Sequence, residues 1–105
     1  MNNIDKFQLK EITENPIKLD FSKCKNLSDV HILLKNKFGF HDYYGANWDA
    51  LWDLMRDVFL GDEYLVEIYG FKEMNKGLQK ECKKMIGIFD DIHDINVNFV
   101  YTIVG

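Results

Sequence analysis

Three aspartates recur at four-residue spacing in the stretch Asn47-Trp48-Asp49-Ala50-Leu51-Trp52-Asp53-Leu54-Met55-Arg56-Asp57-Val58. Carboxylates grouped in this way could serve as a general acid and a general base, one protonated and one ionised. That chemistry requires an enclosing cleft that drives the two pKa values apart. The face of one helix in a chain of 105 residues offers no such enclosure, and the sequence reads as that of a non-enzyme. A metal site is equally unsupported. His31, His41 and His93 are scattered, Cys24 and Cys82 have no close partner in sequence, and the aspartates lack the glycine-containing loop of a calcium site. No nucleotide-binding glycine loop or nucleophile motif occurs, so no cofactor is expected.

The chemistry left to these residues is recognition. Wound at roughly 100° per residue, the stretch puts Asn47, Leu51, Leu54, Met55 and Val58 on one face and Asp49, Asp53 and Asp57 nearly opposite. Like charges at i,i+4 repel by a few tenths of a kcal/mol per pair, and no lysine within the helix relieves them. Relief from outside the helix is therefore expected. Trp48, Trp52 and Phe59 lie between the stripes, with Tyr43 and Tyr44 upstream. A core uses one or two such rings; five beside three aspartates describe a contact surface. Trp52, next to the apolar stripe, is expected to be structural, and Trp48 to be the more exposed ring. A plainer account, in which the rings fill the core and the aspartates only keep the helix solvated, fits the same pattern. Six acids and one base, Arg56, occupy positions 42 to 63, and Arg56 is the sole arginine of the chain. A negative field of that density attracts a basic partner and speeds its arrival.

The elements that would hold this helix are legible on either side of it. Ile17-Lys18-Leu19-Asp20-Phe21 alternates apolar and polar and predicts a first strand. Ser28 is placed as an N-cap, Asp29 suits the positive helix end, and Val30, Leu33, Leu34, Lys37 and Phe38 form one stripe closed by Gly39. His31 reads as a surface residue of this helix and His41 as a loop residue. Gly45 sits where the backbone must turn or approach a partner closely. The central helix is predicted from about Asn47 to Phe59, and Tyr64–Tyr69 is a second, more buried strand. A short helix is expected at 72–75. Leu78, Cys82, Met85, Ile86, Phe89 and Ile92 predict a last helix from Leu78 to about His93. Gly87 inside it costs about 1 kcal/mol relative to alanine, so a packing reason is expected for it. Val97–Val104 is a third strand. Strands separated by helices imply βαβ crossovers, hence an α/β fold with a small parallel sheet.

Composition sets the outer bounds. The chain is 47% hydrophobic and 29% charged with one proline, which fits one folded domain and excludes a low-complexity segment. Residues 1–15 form a polar N-terminal extension, with either a short edge strand at Phe7 and Leu9 or a frayed end, and residues 16–105 form the domain. A net charge of −4 disfavours direct nucleic-acid binding. The five lysines from Lys72 to Lys84 read as a solvated helix face. No signal-peptide core and no long apolar run occurs, which predicts a cytoplasmic, non-membrane protein with both cysteines reduced.

The stretch Tyr-Tyr-Gly-x-Asn-x-Asp-Ala-Leu-Trp-Asp from Tyr43 to Asp53, preceded by the helix start Ser28-Asp29-Val30-His31, resembles the barstar family of intracellular inhibitors of barnase-type ribonucleases. The similarity extends more loosely from about Ile17 to the C-terminus. The resemblance implies a three-stranded parallel sheet with about four helices, and a monomeric immunity-type protein that occludes its target without chemistry. It carries partner contacts over to Tyr43, Asn47, Trp48, Asp49 and Asp53. Asp53 would sit deepest among the nuclease's basic groups, Asp49 would meet the substrate-binding loop, and Tyr43 would pack beside the catalytic histidine. A late-helix acid that contacts the nuclease corresponds to Asp91. Where the family has a small polar residue, a glycine and a tryptophan, this chain has Arg56, Asp57 and Val58, and a bulky cation facing a basic site implies a weaker fit to barnase itself and a different target nuclease. A rival from another class is a non-inhibitory interaction module whose acidic face binds some other basic protein.

Overall fold

A computed structural model describes residue 12, residues 14–40 and residues 44–105. The expected edge strand at Phe7 and Leu9 and the residues His41 and Tyr43 lie outside these described residues. The elements run β1 (Ile17–Asp20), α1 (Leu27–Phe38), α2 (Trp48–Val58), β2 (Tyr64–Tyr69), a 3-10 turn (Phe71–Glu73), α3 (Lys76–Ile95) and β3 (Phe99–Ile103). About four helices were expected; the described residues contain three α-helices and the 3-10 turn, which stands where the short helix was placed.

The three strands form one parallel sheet in the order β1-β2-β3, with Leu19 opposite Ile68 and Tyr64 opposite Phe99. Parallel neighbours cannot be joined by a tight turn, so α1 and α2 both lie in the first crossover and α3 in the second. Strand residues alternate. Ile17, Leu19, Val66, Ile68 and Phe99 are buried, whereas Lys18, Asp20, Leu65 and Val100 are exposed. The buried strand residues therefore share one face of the sheet. β2 is central, as a buried strand should be, yet its outward residue Leu65 meets solvent.

Helix residues close the core over that face: Val30, Leu34 and Phe38 from α1, Leu51 and Met55 from α2, and Leu78, Cys82, Met85, Phe89 and Ile92 from α3. Phe38, Phe59, Phe89 and Phe99 meet in a chain of tilted and edge-on contacts with centroids 5.0 to 6.1 Å apart. Edge-on contacts add to simple area burial because the positive ring edge meets a negative face.

Two local expectations are corrected. Ser28 is not the N-cap of α1: Asn26 is, its Oδ1 accepting from the Asp29 amide at 2.9 Å. Asp29 in turn accepts from the amide of Lys25, the residue before the cap, at 2.9 Å, a bond that ties the approaching chain to the first turn. Gly87 is exposed, and a Cβ built on it meets no atom within 4 Å, so the packing reason expected for it is absent. Gly39, by contrast, ends α1 in the left-handed region at φ 70°, as read.

Candidate functional site

α2 owes its seat to two buried side chains and one cap. Leu51 and Met55 are fully buried, and Ala50, Leu54 and Val58 pack against the same core from its margin. Asn47 caps the helix, its Oδ1 accepting from the Ala50 amide at 2.8 Å while its Nδ2 donates to the Gly45 carbonyl at 3.3 Å. The residue in front of it, Ala46, has φ 53°. A left-handed backbone costs a non-glycine residue about 1–2 kcal/mol, so the turn into α2 holds strain immediately beside the cap.

The face opposite Leu51 and Met55 carries Asp49, Asp53 and Asp57, all exposed, with the Asp53 side chain 67% accessible. These carboxylates stand on an open surface, without the enclosure that acid-base work needs. Arg56 lies on the same side, its Nη2 3.9 Å from Asp53 Oδ1 and its guanidinium carbon 5.8 Å from the centre of the Trp52 ring. The relief expected from outside the helix thus comes in part from within it.

The aromatic residues divide, correcting the reading of five rings as one contact surface. Phe59 is fully buried and Tyr44 nearly so, while Trp48 and Trp52 are half-buried. Tyr43 lies outside the described residues. Trp48 is the more tethered tryptophan: its Nε1 donates to Glu81 Oε1 of α3 at 3.2 Å, and its ring lies 4.6 Å from that of His31. Glu81 also accepts from Lys84 Nζ at 3.4 Å, and these two donors hold its carboxyl below the usual range, the Trp48 bond contributing most. The ring is therefore held from two sides, by Glu81 of α3 and by His31 of α1.

His31 is the residue that sequence reasoning misplaced. It is 3% exposed, not on the surface, and its Nδ1 shares a 2.5 Å hydrogen bond with the Tyr44 hydroxyl. Its Nε2 is buried with no hydrogen-bond partner among the described residues. Burial pushes the imidazole below its ordinary pKa and the Tyr44 hydroxyl well above its own. The signal was available: His31 stands at i+4 from Leu27, i−3 from Leu34 and i−7 from Phe38, in the middle of the apolar stripe. Through Tyr44 and Trp48 it joins α1 to both sides of the loop that leads into α2.

Asn47, Trp48, Asp49, Asp53, Arg56 and Asp57 thus fall on one contiguous segment. Asp91 is exposed in the second half of α3, ten residues and about 15 Å along the axis from Glu81. No hydrogen bond or ion pair joins it to the α2 face. Among the described residues no group of three or more His, Cys, Asp or Glu side chains could hold a metal ion. No described helix is long and apolar enough to cross a membrane.

The class of protein follows from comparison with known families. Residues 15–103 match the family model described as Barstar (barnase inhibitor), and the chain belongs to that family. It is also similar to a Bacillus subtilis protein named "Putative ribonuclease inhibitor YrdF", with 46% identity over 37 residues. That match covers 35% of this chain and 41% of the relative's length.

Proposed function

We propose that this protein inhibits a barnase-type ribonuclease by covering its active site with the α2 face and the loop before it. Nucleases bind RNA phosphates through lysine, arginine and histidine, so a row of carboxylates on a rigid helix can take the place of the phosphates. The observation that carries this reading is Asp53. It is the most outward of the three aspartates, opposite the buried pair Leu51 and Met55, and most of its side chain is accessible. Asp49 and Asp57 extend the negative row, Trp48 and Tyr43 supply ring contacts, and Asn47 holds the loop in register. Asp91 contributes from α3. The protein acts as a monomer, in the cytoplasm, without cofactor, metal or catalytic step.

The test is inhibition of barnase by purified variants. Asp53→Ala is expected to weaken inhibition by at least about 2 kcal/mol, the threshold of a hot spot, a scale to which the barnase–barstar pair itself contributed measurements. Its folding stability should stay within a few tenths of a kcal/mol, because truncation removes the i,i+4 repulsions with Asp49 and Asp57 along with the weak Arg56 pair. Leu51→Ala should do the reverse, losing about 2–5 kcal/mol of stability while its folded fraction still binds. If Asp53→Ala unfolds the protein and spares affinity, the acidic row is structural and the inhibitor reading fails. An α2 face that binds a basic protein other than a nuclease would leave barnase activity untouched.

A further inference from the structure

The three aspartates account for a basic target, but Arg56 does not. Around the helix the outward residues run Trp52, Arg56, Asp49, Asp53, Asp57, so the guanidinium stands between the tryptophan and the carboxylates, within the face that a partner would cover. Its side chain is 51% accessible, and its two contacts, Asp53 at 3.9 Å and the Trp52 ring at 5.8 Å, are both solvent-facing. Pairs of that kind add little to folding, because water screens them and two long side chains must be ordered. Arg56 is thus not kept in place by the fold.

Covering it is another matter. A guanidinium does not give up its proton, and burying one without an acceptor is far more costly than any exposed pair is favourable. A uniformly basic partner surface would remove water from Arg56 and offer repulsion in exchange. A partner that sets a carboxylate among its basic groups would satisfy it through two parallel N–H···O bonds. Nucleases that remove a proton from an attacking hydroxyl need a general base beside their phosphate-binding cations, and a carboxylate is one of the groups able to do that work.

We infer that Arg56 is a specificity-determining residue of the inhibitory face, and that the target it selects carries an aspartate or glutamate within its basic active site, paired with Arg56 in the complex. This rests on the reading of α2 as the inhibitory face. In it the Asp53–Arg56 pair of the free protein opens, and each member exchanges its partner for an opposite charge on the nuclease.

The experiment is a set of double-mutant cycles with barnase as the probe. The wild-type chain, Arg56→Ala, Arg56→Lys and Asp53→Ala are each titrated against barnase and against variants in which its active-site aspartates and glutamates are changed singly to the amides. One amide variant is expected to bind the wild-type chain at least tenfold more weakly, yet to bind Arg56→Ala within twofold of unmodified barnase. Arg56→Lys should recover less than half of the coupling, since an ammonium keeps the charge and loses the fork. Tighter binding by Arg56→Ala, or no coupled carboxylate, overturns the inference. If Asp53→Ala weakens binding in those same measurements, the inhibitory face stands without it. If the wild-type chain and Asp53→Ala both fail to bind, the proposed function falls and the inference with it.

Discussion

His31 places a titratable ring where its charged form has no solvation, so its protonation is tied to folding. Its pKa in the native protein lies below the ordinary 6.5 because of burial, so the unfolded chain takes up the proton first as the pH falls. The contribution of the neutral ring is complete above pH 6.5 and is lost as acid pulls the equilibrium toward the unfolded, protonated chain. Denaturant unfolding should therefore show stability declining as the pH falls below about 6.5, with a smaller slope in His31→Phe. The slope is the readout, since the variant also strands the Tyr44 hydroxyl and shifts stability at every pH. An equal slope in the two proteins would assign the acid sensitivity to other groups. The same side chain braces the Trp48 ring and the Tyr44 end of the loop, so a buried residue of α1 bears on the geometry of an exposed surface on α2.

At the scale of elements, two glycines with opposite roles show what holds the helices and strands in register. Gly70, just after β2, has φ 73°, and a Cβ there would lie 2.4 Å from the Ser22 amide nitrogen after β1. Gly70→Ala should lose about 1–2 kcal/mol from the backbone conformation and more from pushing β1 and β2 apart. Gly87, mid-helix and surrounded by open space, should instead gain about 0.5–1 kcal/mol on replacement by alanine. Midpoints of urea unfolding should move in opposite directions for the two variants. The mid-helix cost of Gly87 was legible in the sequence, but the role of Gly70 was not, because a glycine letter records permissiveness and not the neighbour that demands it. The elements themselves were legible: β2 runs from Tyr64 to Tyr69 as its β-branched and aromatic residues implied, and the spacing from Leu78 to Ile92 found α3. Caps were less so, since Asn26 and Ser28 are both good caps and only the bond from the Asp29 amide to the Asn26 side chain decides between them. The site was half legible. Period placed the three aspartates outward, but Trp48, Tyr44 and Phe59 look alike as ring-bearing letters, and what separates them is contact with Glu81, His31 and Phe38 across the fold.

For the molecule as a whole, charge is distributed unevenly. The acids of α2 occupy one surface, while Lys72, Lys76, Lys80, Lys83 and Lys84 are exposed on the 3-10 turn and the first half of α3. A basic target should be drawn to the α2 face from a distance, so its association rate should fall steeply between low and physiological salt while dissociation changes less. Stopped-flow binding to barnase at increasing ionic strength measures this, and a salt-independent rate would remove steering from the account. Seating α2 in turn depends on the phenylalanine cluster, and that cluster includes Phe99, supplied by β3. Forty-five residues separate the end of α2 at Val58 from the end of β3 at Ile103. At ribosomal speeds of roughly 5–20 residues per second, that interval lasts about 2–9 s. During it a nascent chain holds its aspartates without the strand that fixes the helix bearing them. If the chain inhibits a nuclease in the way proposed, it becomes competent to do so only once β3 has joined the sheet, after that delay.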